Sequence, residues 1–502
     1  MSIFSQIQSK RPRSNTFDLS HDRKMSMDMG ILTPILCTET VPGDKFNIST
    51  SQMLRFAPLV TPMMHQVSVY THFFFVPNRL LWDGWKDFIT GGIDGNDASV
   101  FPYLTMSGMN TVGLLPDYLG IPNISADTQI SAMPFAAYQK IYNDYYMDQN
   151  LQTPNTDTLV DGNNAANKTS LTELQTRAWQ HDYFTSALPW TQKGSEATIP
   201  IGQIQEVNFI DPTHEFGTST NMELRVSNSG VAANSKPLEA FSGTGGTVAG
   251  QWQPAELSAD ATTINELRNA FRLQEWLEKN ARGGSRYIES IKSHFGVTSS
   301  DSRLQRPEFL GGSSSPMAIS EVLQTSANTS EPTPQGNMAG HGIAVGSNKN
   351  ISYFCEEHGY IMGIMSVMPK TAYQDGIPKH FLKFDKFDYF WPSFAHLGEQ
   401  PIENRELFVA NTSTDDETFG YTPRYAEYKY LNSSVHGEFR TTLDIWHLGR
   451  QFSSTPSLNS AFITCDPDTR IFAVETGEKI YAHVYHKIKA KRLMPYFGTP
   501  RL

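Results

Sequence analysis

QVSVYTHFFFVPNRLLWDGW, residues Gln66 to Trp85, reads as a strand that stops at a proline and passes into a short amphipathic helix. Val67, Val69, Thr71, Phe73 and Phe75 fall on one face, and Ser68, Tyr70, His72, Phe74 and Val76 on the other. That is the period of two of a pleated strand. Both faces carry aromatic or branched side chains, so neither suits open water. A strand covered on both sides belongs in a sandwich, or beneath long loops or a neighbouring chain. Pro77 has no N–H to give a ladder, so the strand ends there. Asn78 is then the expected N-cap of a helix carrying Leu80, Leu81, Trp85 and Phe88.

Working outward, Gly30 to Val41 and Lys45 to Phe56 read as two strands joined across the turn pair Pro42-Gly43. The polar, basic stretch before them, broken by Pro12, reads as an extended arm. Gly91 to Asn123, rich in Gly, Pro and Asn, reads as a long surface excursion. Met133 to Met147 has Phe135, Tyr138, Ile141, Tyr142 and Tyr145 at helical spacing, for which core packing is the simplest purpose. Leu171 to Phe184 and the stretch from Ile264 to Gly283 are two further expected helices. Ala318 to Gln324, Tyr353 to Met368, Arg470 to Val474 and Ile480 to Lys489 carry strand signals, while Tyr373 to Gly420 is loop-rich and aromatic. Short strands among very long connections fit a mainly β core whose loops do much of the work.

The chain has 502 residues, 12% aromatic and 39% hydrophobic, enough for a sizeable core. Charged residues make up only 18%, against about a quarter in ordinary soluble domains. Such a surface suits burial against other protein. Cys37, Cys355 and Cys465 are isolated and odd in number, so they suggest neither a disulfide framework nor a zinc site, and fit a reducing compartment. The start, MSIFSQIQSKRPR, has no apolar core of a signal sequence, and no long apolar run follows. Neither secretion nor membrane spanning is expected. Net charge is −11, but residues 1–24 carry +3 and residues 479–502 carry +6, leaving −20 between them. An acidic body with basic ends suggests a polyanion at one surface.

Catalytic patterns are missing. Glu356 and Glu357 are adjacent on an expected strand and would point to opposite faces, and Asp415-Asp416-Glu417 reads as a solvated charge run. Cys355 and His358 lack a second ligand pair. The cluster GTGGTVAG, Gly243 to Gly250, has neither nucleotide-loop spacing nor a following lysine, and reads as a loop tip. No enzyme, cofactor or metal is expected.

The C-terminal strand carries more. Tyr481, His483, Tyr485, Lys487, Lys489 and Lys491 alternate with Ile480, Ala482, Val484, His486 and Ile488. Lysines attract phosphate without regard to sequence, and tyrosines can stack on unpaired bases. The other reading is a solvent-facing strand whose edge lysines discourage aggregation. Candidate nucleic-acid contacts are Lys10, Arg11, Arg13, Tyr485, Lys487, Lys489, Lys491 and Arg492. Phe73, Phe74, Tyr389, Phe390 and Trp391 are candidates for the core or for a subunit interface.

The opening stretch, together with SNTFDLSHDRKMSMDMGILTPILCTETVPGDKF (Ser14 to Phe46), SRYIESIKSHFGVTSSDSRLQRPEFLGG (Ser285 to Gly312) and RLMPYFGTP (Arg492 to Pro500), resembles the major capsid proteins of microviruses, especially the gokushovirus branch. The resemblance implies an eight-stranded antiparallel jelly roll with long inserted loops. It also implies self-assembly of sixty copies into a T=1 icosahedral shell around circular single-stranded DNA, a virion protein assembled in the bacterial cytoplasm. A small basic DNA-binding protein, a pilot protein and a host cell-surface receptor are the further partners implied; a membrane is not. Residues 191–262, rich in Gly, Ser, Thr, Asn and Ala, are the stretch without a match. They have the place and composition of the family's threefold protrusion, with Gly217, Gly243, Gly245, Gly246 and Gly250 as candidate host-attachment positions; a surface loop with no partner is the alternative. The organisation expected is a basic arm over 1–24, jelly-roll segments over 25–190 and 263–502, and the insertion between them. A carbohydrate-binding or carbohydrate-active jelly roll is the rival, but it needs an aromatic platform or converging acids that the sequence does not display.

Overall fold

The computed structural model describes residues 13–107, 111–195, 197, 263–284, 286–325 and 336–497, with the backbone of five strands between 204 and 259. Two units divide the chain, residues 192–282 forming the second.

The first unit is built on eight long strands: β1 (His21–Met27), β2 (Thr33–Thr40), β3 (Lys45–Phe56), β4 (Val67–Pro77), β5 (Glu308–Pro316), β6 (Met338–Ser347), β7 (Gly359–Pro369) and β8 (Ile480–Arg492). They form two antiparallel sheets, one in the order β1-β8-β3-β6 and the other β5-β4-β7-β2. Asn15–Asp18 also pairs with β8, Ile351–Phe354 with β3, and Ala318–Leu323 with β6. Among the described residues the sheets do not join into a closed barrel.

Alternation on β4 explains the packing. Val67, Val69, Phe73 and Phe75 point into a core shared with Ile35, Phe46, Ile48, Leu54, Ile361, Val484 and Ile488, which come from both sheets. Phe74 and Val76 point the other way, into a second cluster with Phe135, Tyr138 and Ile141 of the helix Met133–Ile141. Tyr138 donates to the carbonyl of Leu32 at 2.7 Å, which satisfies a hydroxyl buried in that layer. The second sheet is therefore covered on both faces. β7 reads as an almost unbroken apolar run for the same reason, with Ile361, Met365 and Val367 inward and Met362 and Ile364 under the helix. Gly363 sits opposite Phe73, and a Cβ there would lie 2.8 Å from the Phe73 ring.

Several expectations are corrected. Asn78 does not cap a helix: Asn78–Leu80 is a single 3₁₀ turn, and a separate helix, Trp85–Thr90, follows. The helix expected over Leu171 to Phe184 is only Lys168–Thr172, because the backbone beyond it pairs with neighbouring segments, as in Leu32 N–H to the Gln175 carbonyl (2.9 Å). The stretch Tyr353 to Met368 is broken at Cys355 to His358, where the chain leaves the first sheet for the second. That corner is tied by Cys355 N–H to the Asp44 carbonyl and Gly43 N–H to the Cys355 carbonyl, both 2.8 Å, and Gly43 supplies a φ of +92°. Arg470 to Val474 forms only an isolated bridge from Phe472 to Leu59. From Asn15 onward the expected arm is sheet, while residues 1–12 lie outside the described ones.

In the second unit, Met222–Val226, Leu238–Ser242 and Gly246–Val248 pair as one antiparallel sheet, and Ile204–Ile210 pairs with Gln253–Ala259. Gly246 thus begins a strand where a loop tip was expected. Thr263 and Glu266 cap the helix Ile264–Gly283 reciprocally, the Thr263 N–H donating at 2.8 Å and the Glu266 N–H at 3.2 Å.

Candidate nucleic-acid interface and assembly surface

β8 lies inside the first sheet, flanked by β3 on one side and by β1 and Asn15–Asp18 on the other. Its inward set, Ile480, Ala482, Val484, His486, Ile488 and Ala490, is buried. Its outward set, Tyr481, His483, Tyr485, Lys487, Lys489 and Lys491, is exposed. The ladder to β3 sets Lys491 opposite Lys45, Lys489 opposite Asn47, Lys487 opposite Ser49, Tyr485 opposite Ser51, His483 opposite Met53 and Tyr481 opposite Arg55. Four lysines therefore gather at one end of the bare face, and two tyrosines at the other.

The acids near this face are few. Asp18, opposite Lys489, accepts from Ser20 N–H at 3.0 Å; its carboxyl is held below the usual range mainly by Ser20, with help from Lys489 and Lys487. Asp22, opposite Tyr485, is likewise lowered, first by Lys24 and then by His483, whose Nε2 lies 3.2 Å away.

Arg492 stands apart from the row. Its position puts it with the inward set: it donates to the Glu39 carbonyl at 2.8 Å, lies 3.2 Å from the buried Asp44 carboxylate, and rests over the Phe46 ring. Arg13 is exposed, and Lys10 and Arg11 lie outside the described residues. So do Gly217, Gly243, Gly245 and Gly250.

His486, the one polar group between Ile480 and Ala490 on the inward side, is fully buried. Its Nδ1 lies 2.9 Å from the Thr50 hydroxyl, and its Nε2 lies 2.9 Å from the Ile35 carbonyl on the opposite sheet. Desolvation pushes its pKa down to about 4, so at neutral pH it is an uncharged bridge between the sheets.

The aromatic candidates separate cleanly. Phe73 and Phe74 are core, whereas Tyr389, Phe390 and Trp391 are each about half exposed. The latter belong to an excursion over residues 379–397 whose Phe384 is 84% exposed and whose Phe387 and Leu397 also face solvent. Sequence reading did not anticipate how firmly this excursion is held. The Lys383–Glu427 pair at 2.8 Å is nearly buried, the Phe390 ring meets Tyr425 at 5.0 Å, and Trp391 Nε1 donates to the Lys386 carbonyl at 2.8 Å. A fixed segment presenting so many rings to water is a surface made to be covered.

Elsewhere the acids are structural. Glu357 pairs with Arg79 at 2.6 Å, Asp416 with Arg405 at 2.9 Å, and Asp415 accepts two backbone N–H groups. Burial pushes the Cys355 thiol up to about 12. Among the described residues no group of side chains is arranged to hold a metal, and no helix is long and apolar enough to cross a membrane.

The family model described as "Capsid protein (F protein)" matches residues 5–502. The chain is 33% identical to capsid protein VP1 of Chlamydia phage 1, over 99% of this chain and 97% of that protein. It is 38% identical to capsid protein VP1 of Bdellovibrio phage phiMH2K, over 92% and 89%. For capsid protein VP1 of Spiroplasma virus 4 the identity is 30%, over 98% and 95%. With nearly full length shared on both sides, the chain belongs to the capsid protein (F protein) family of the microviruses, on its gokushovirus branch.

Proposed function

We propose that copies of this chain assemble into a T=1 icosahedral shell of sixty subunits that encloses circular single-stranded DNA. The protein is structural and not an enzyme. The observation that carries the assembly reading is the anchored excursion over residues 379–397, most of whose rings are left about half exposed or more by the described subunit. Stable subunit contacts of roughly 2,000 Å² or more need apolar surface of this kind.

The fold we assign is the eight-stranded jelly roll. The strand orders β1-β8-β3-β6 and β5-β4-β7-β2 support it, because they interleave early and late strands in each of two facing sheets, as Greek-key closure requires. The bare face of β8 and β3 is the proposed DNA contact, with Lys487, Lys489 and Lys491 on the phosphates and Tyr485 available to a base. Lys10, Arg11 and Arg13 would add to it from the chain start. Residues 191–262 are proposed as the threefold protrusion that meets a host receptor. A small basic DNA-binding protein and a pilot protein are proposed as virion partners. Three free cysteines suit assembly in a reducing cytoplasm.

Electron microscopy of the purified chain, with nuclease protection of co-purified single-stranded DNA, tests the reading. Closed shells are expected; a chain that stays monomeric at every concentration would refute it.

A further inference from the structure

The outer face of the second sheet contains a cleft of about 640 Å³ lined by His72, Phe74, Tyr145, Tyr146, Arg177 and Arg306, among others. Two guanidiniums lie over its aromatic walls, Arg306 at 4.1 Å from the Tyr145 ring centre and Arg177 at 5.6 Å from that of Tyr146. Their electrostatic situations differ. Arg306 has the Asp301 carboxylate at 3.3 Å and donates to the Asp144 carbonyl at 3.1 Å. Arg177 donates to the Ser366 hydroxyl at 3.2 Å, and among the described residues no carboxylate forms an ion pair with it. His72, with Nδ1 2.7 Å from the Tyr146 hydroxyl, supplies no negative charge either.

A half-buried cation without a counter-charge is costly unless something anionic arrives. The cleft therefore calls for an acidic group accompanied by a flat apolar one. The packaged strand is a poor occupant, because the lysine row lies on the outer face of the other sheet, across the sandwich. Resting on the assembly reading above, we propose that the cleft around Arg177 receives the acidic, aromatic excursion Phe384–Trp391 of a second copy. That segment, FDKFDYFW, offers Asp385 and Asp388 among five exposed rings. Asp388 is exposed, and donation from the Phe384 and Asp385 N–H groups holds its carboxyl below the usual range, so it is ionised. A recess on one surface and a projection on another make a head-to-tail contact, the kind that builds rings when the rotation closes.

Cross-linking of assembled particles tests this. Lys386 stands in the excursion, and Lys292 stands on the helix Tyr287–Phe295, whose Ile288 lines the cleft. Particles assembled from mixed isotope-labelled and unlabelled chains are treated with an amine-reactive cross-linker. A Lys386–Lys292 link between differently labelled copies is expected in particles and absent from dissociated subunits. In particles of Arg177→Gln its yield should fall by roughly tenfold or more, as for loss of one partner of a desolvated charge pair. Particles in which Lys386 links only within its own copy, or to other regions of a neighbour, overturn the contact. So does an Arg177→Gln particle that keeps the link but loses DNA or a bound anionic saccharide. If the unaltered chain forms no particles, the assembly reading fails and this contact with it, a result distinct from particles lacking the link.

Discussion

Replacing Lys487, Lys489 and Lys491 together by glutamine is the most direct perturbation of the proposed DNA face. All three are exposed on the outward side of β8, so the change removes three positive charges while the buried side stays as it is. Each phosphate neutralised on a single strand contributes about 0.7 to the slope of log affinity against log salt, so the slope should flatten by about 2. Between 50 and 200 mM salt, the unaltered subunit should then lose roughly 20-fold more affinity than the variant. Fluorescence anisotropy of a labelled oligothymidylate with dissociated subunits, over a salt series, measures both slopes. Arg492→Gln is the internal control. Its guanidinium is spent on Asp44 and Glu39, so stability should drop with little change in slope. A triple variant with an unchanged slope would show that this row does not meet phosphate.

Stability of dissociated subunits should weaken as pH falls from about 6.5 towards 4, because His486 takes up a proton when unfolded before it can when folded, where its pKa is about 4. The loss from this group should approach about 3 kcal/mol, and denaturant titrations should show it shrinking in His486→Gln; the raised carboxyls of Asp144 and Glu406 act in the opposite sense. Phe73→Ala should cost about 3–5 kcal/mol of subunit stability, whereas Trp391→Ala should leave the melting temperature nearly unchanged and raise the concentration needed for assembly, read by light scattering. Deleting residues 217–250 should spare particle formation and impair attachment to host cells; particles that fail to form would remove this segment from the role of a protrusion.

The residue pattern revealed strand faces more reliably than strand partners. Alternation in Val67 to Val76 was legible because both faces of β4 are buried, and the same held for Ile480 to Lys489, where one face is buried and the other bare. Tyr353 to Met368 reads as one strand and hides the break at Cys355, although the polar pair Glu356-Glu357 marks the point where the chain passes from one sheet to the other. The failed helix after Leu171 shows tertiary pairing overriding local propensity. That Arg492 stands apart from the lysine row was legible by parity alone, because it is even-numbered like Ile488 and Ala490. The Arg177 cleft had no signature in the sequence, as His72, Arg177 and Arg306 meet only once the chain has folded.

The lysine row could have been a device against edge-to-edge aggregation. That reading requires an edge, and β8 has none: it exchanges a full ladder with β3 and pairs on its other side with β1 and Asn15–Asp18. Lysines on an interior strand protect no unpaired backbone. They also repel one another, and Lys45 opposite Lys491 adds to that repulsion, with Asp18 the nearest acid across the ladder at Lys489. Outward residues on one strand repeat every two rises of about 3.4 Å, so the ammonium groups form a line spaced by about 7 Å. Under the proposed DNA contact, an extended polyanion running along such a line would offset that repulsion. The second sheet could not serve, because helix and loops already cover its outer face. On the proposed reading, the placement of the chain's insertions divides the labour between the two sheets: the clothed sheet would meet protein, and the bare one nucleic acid.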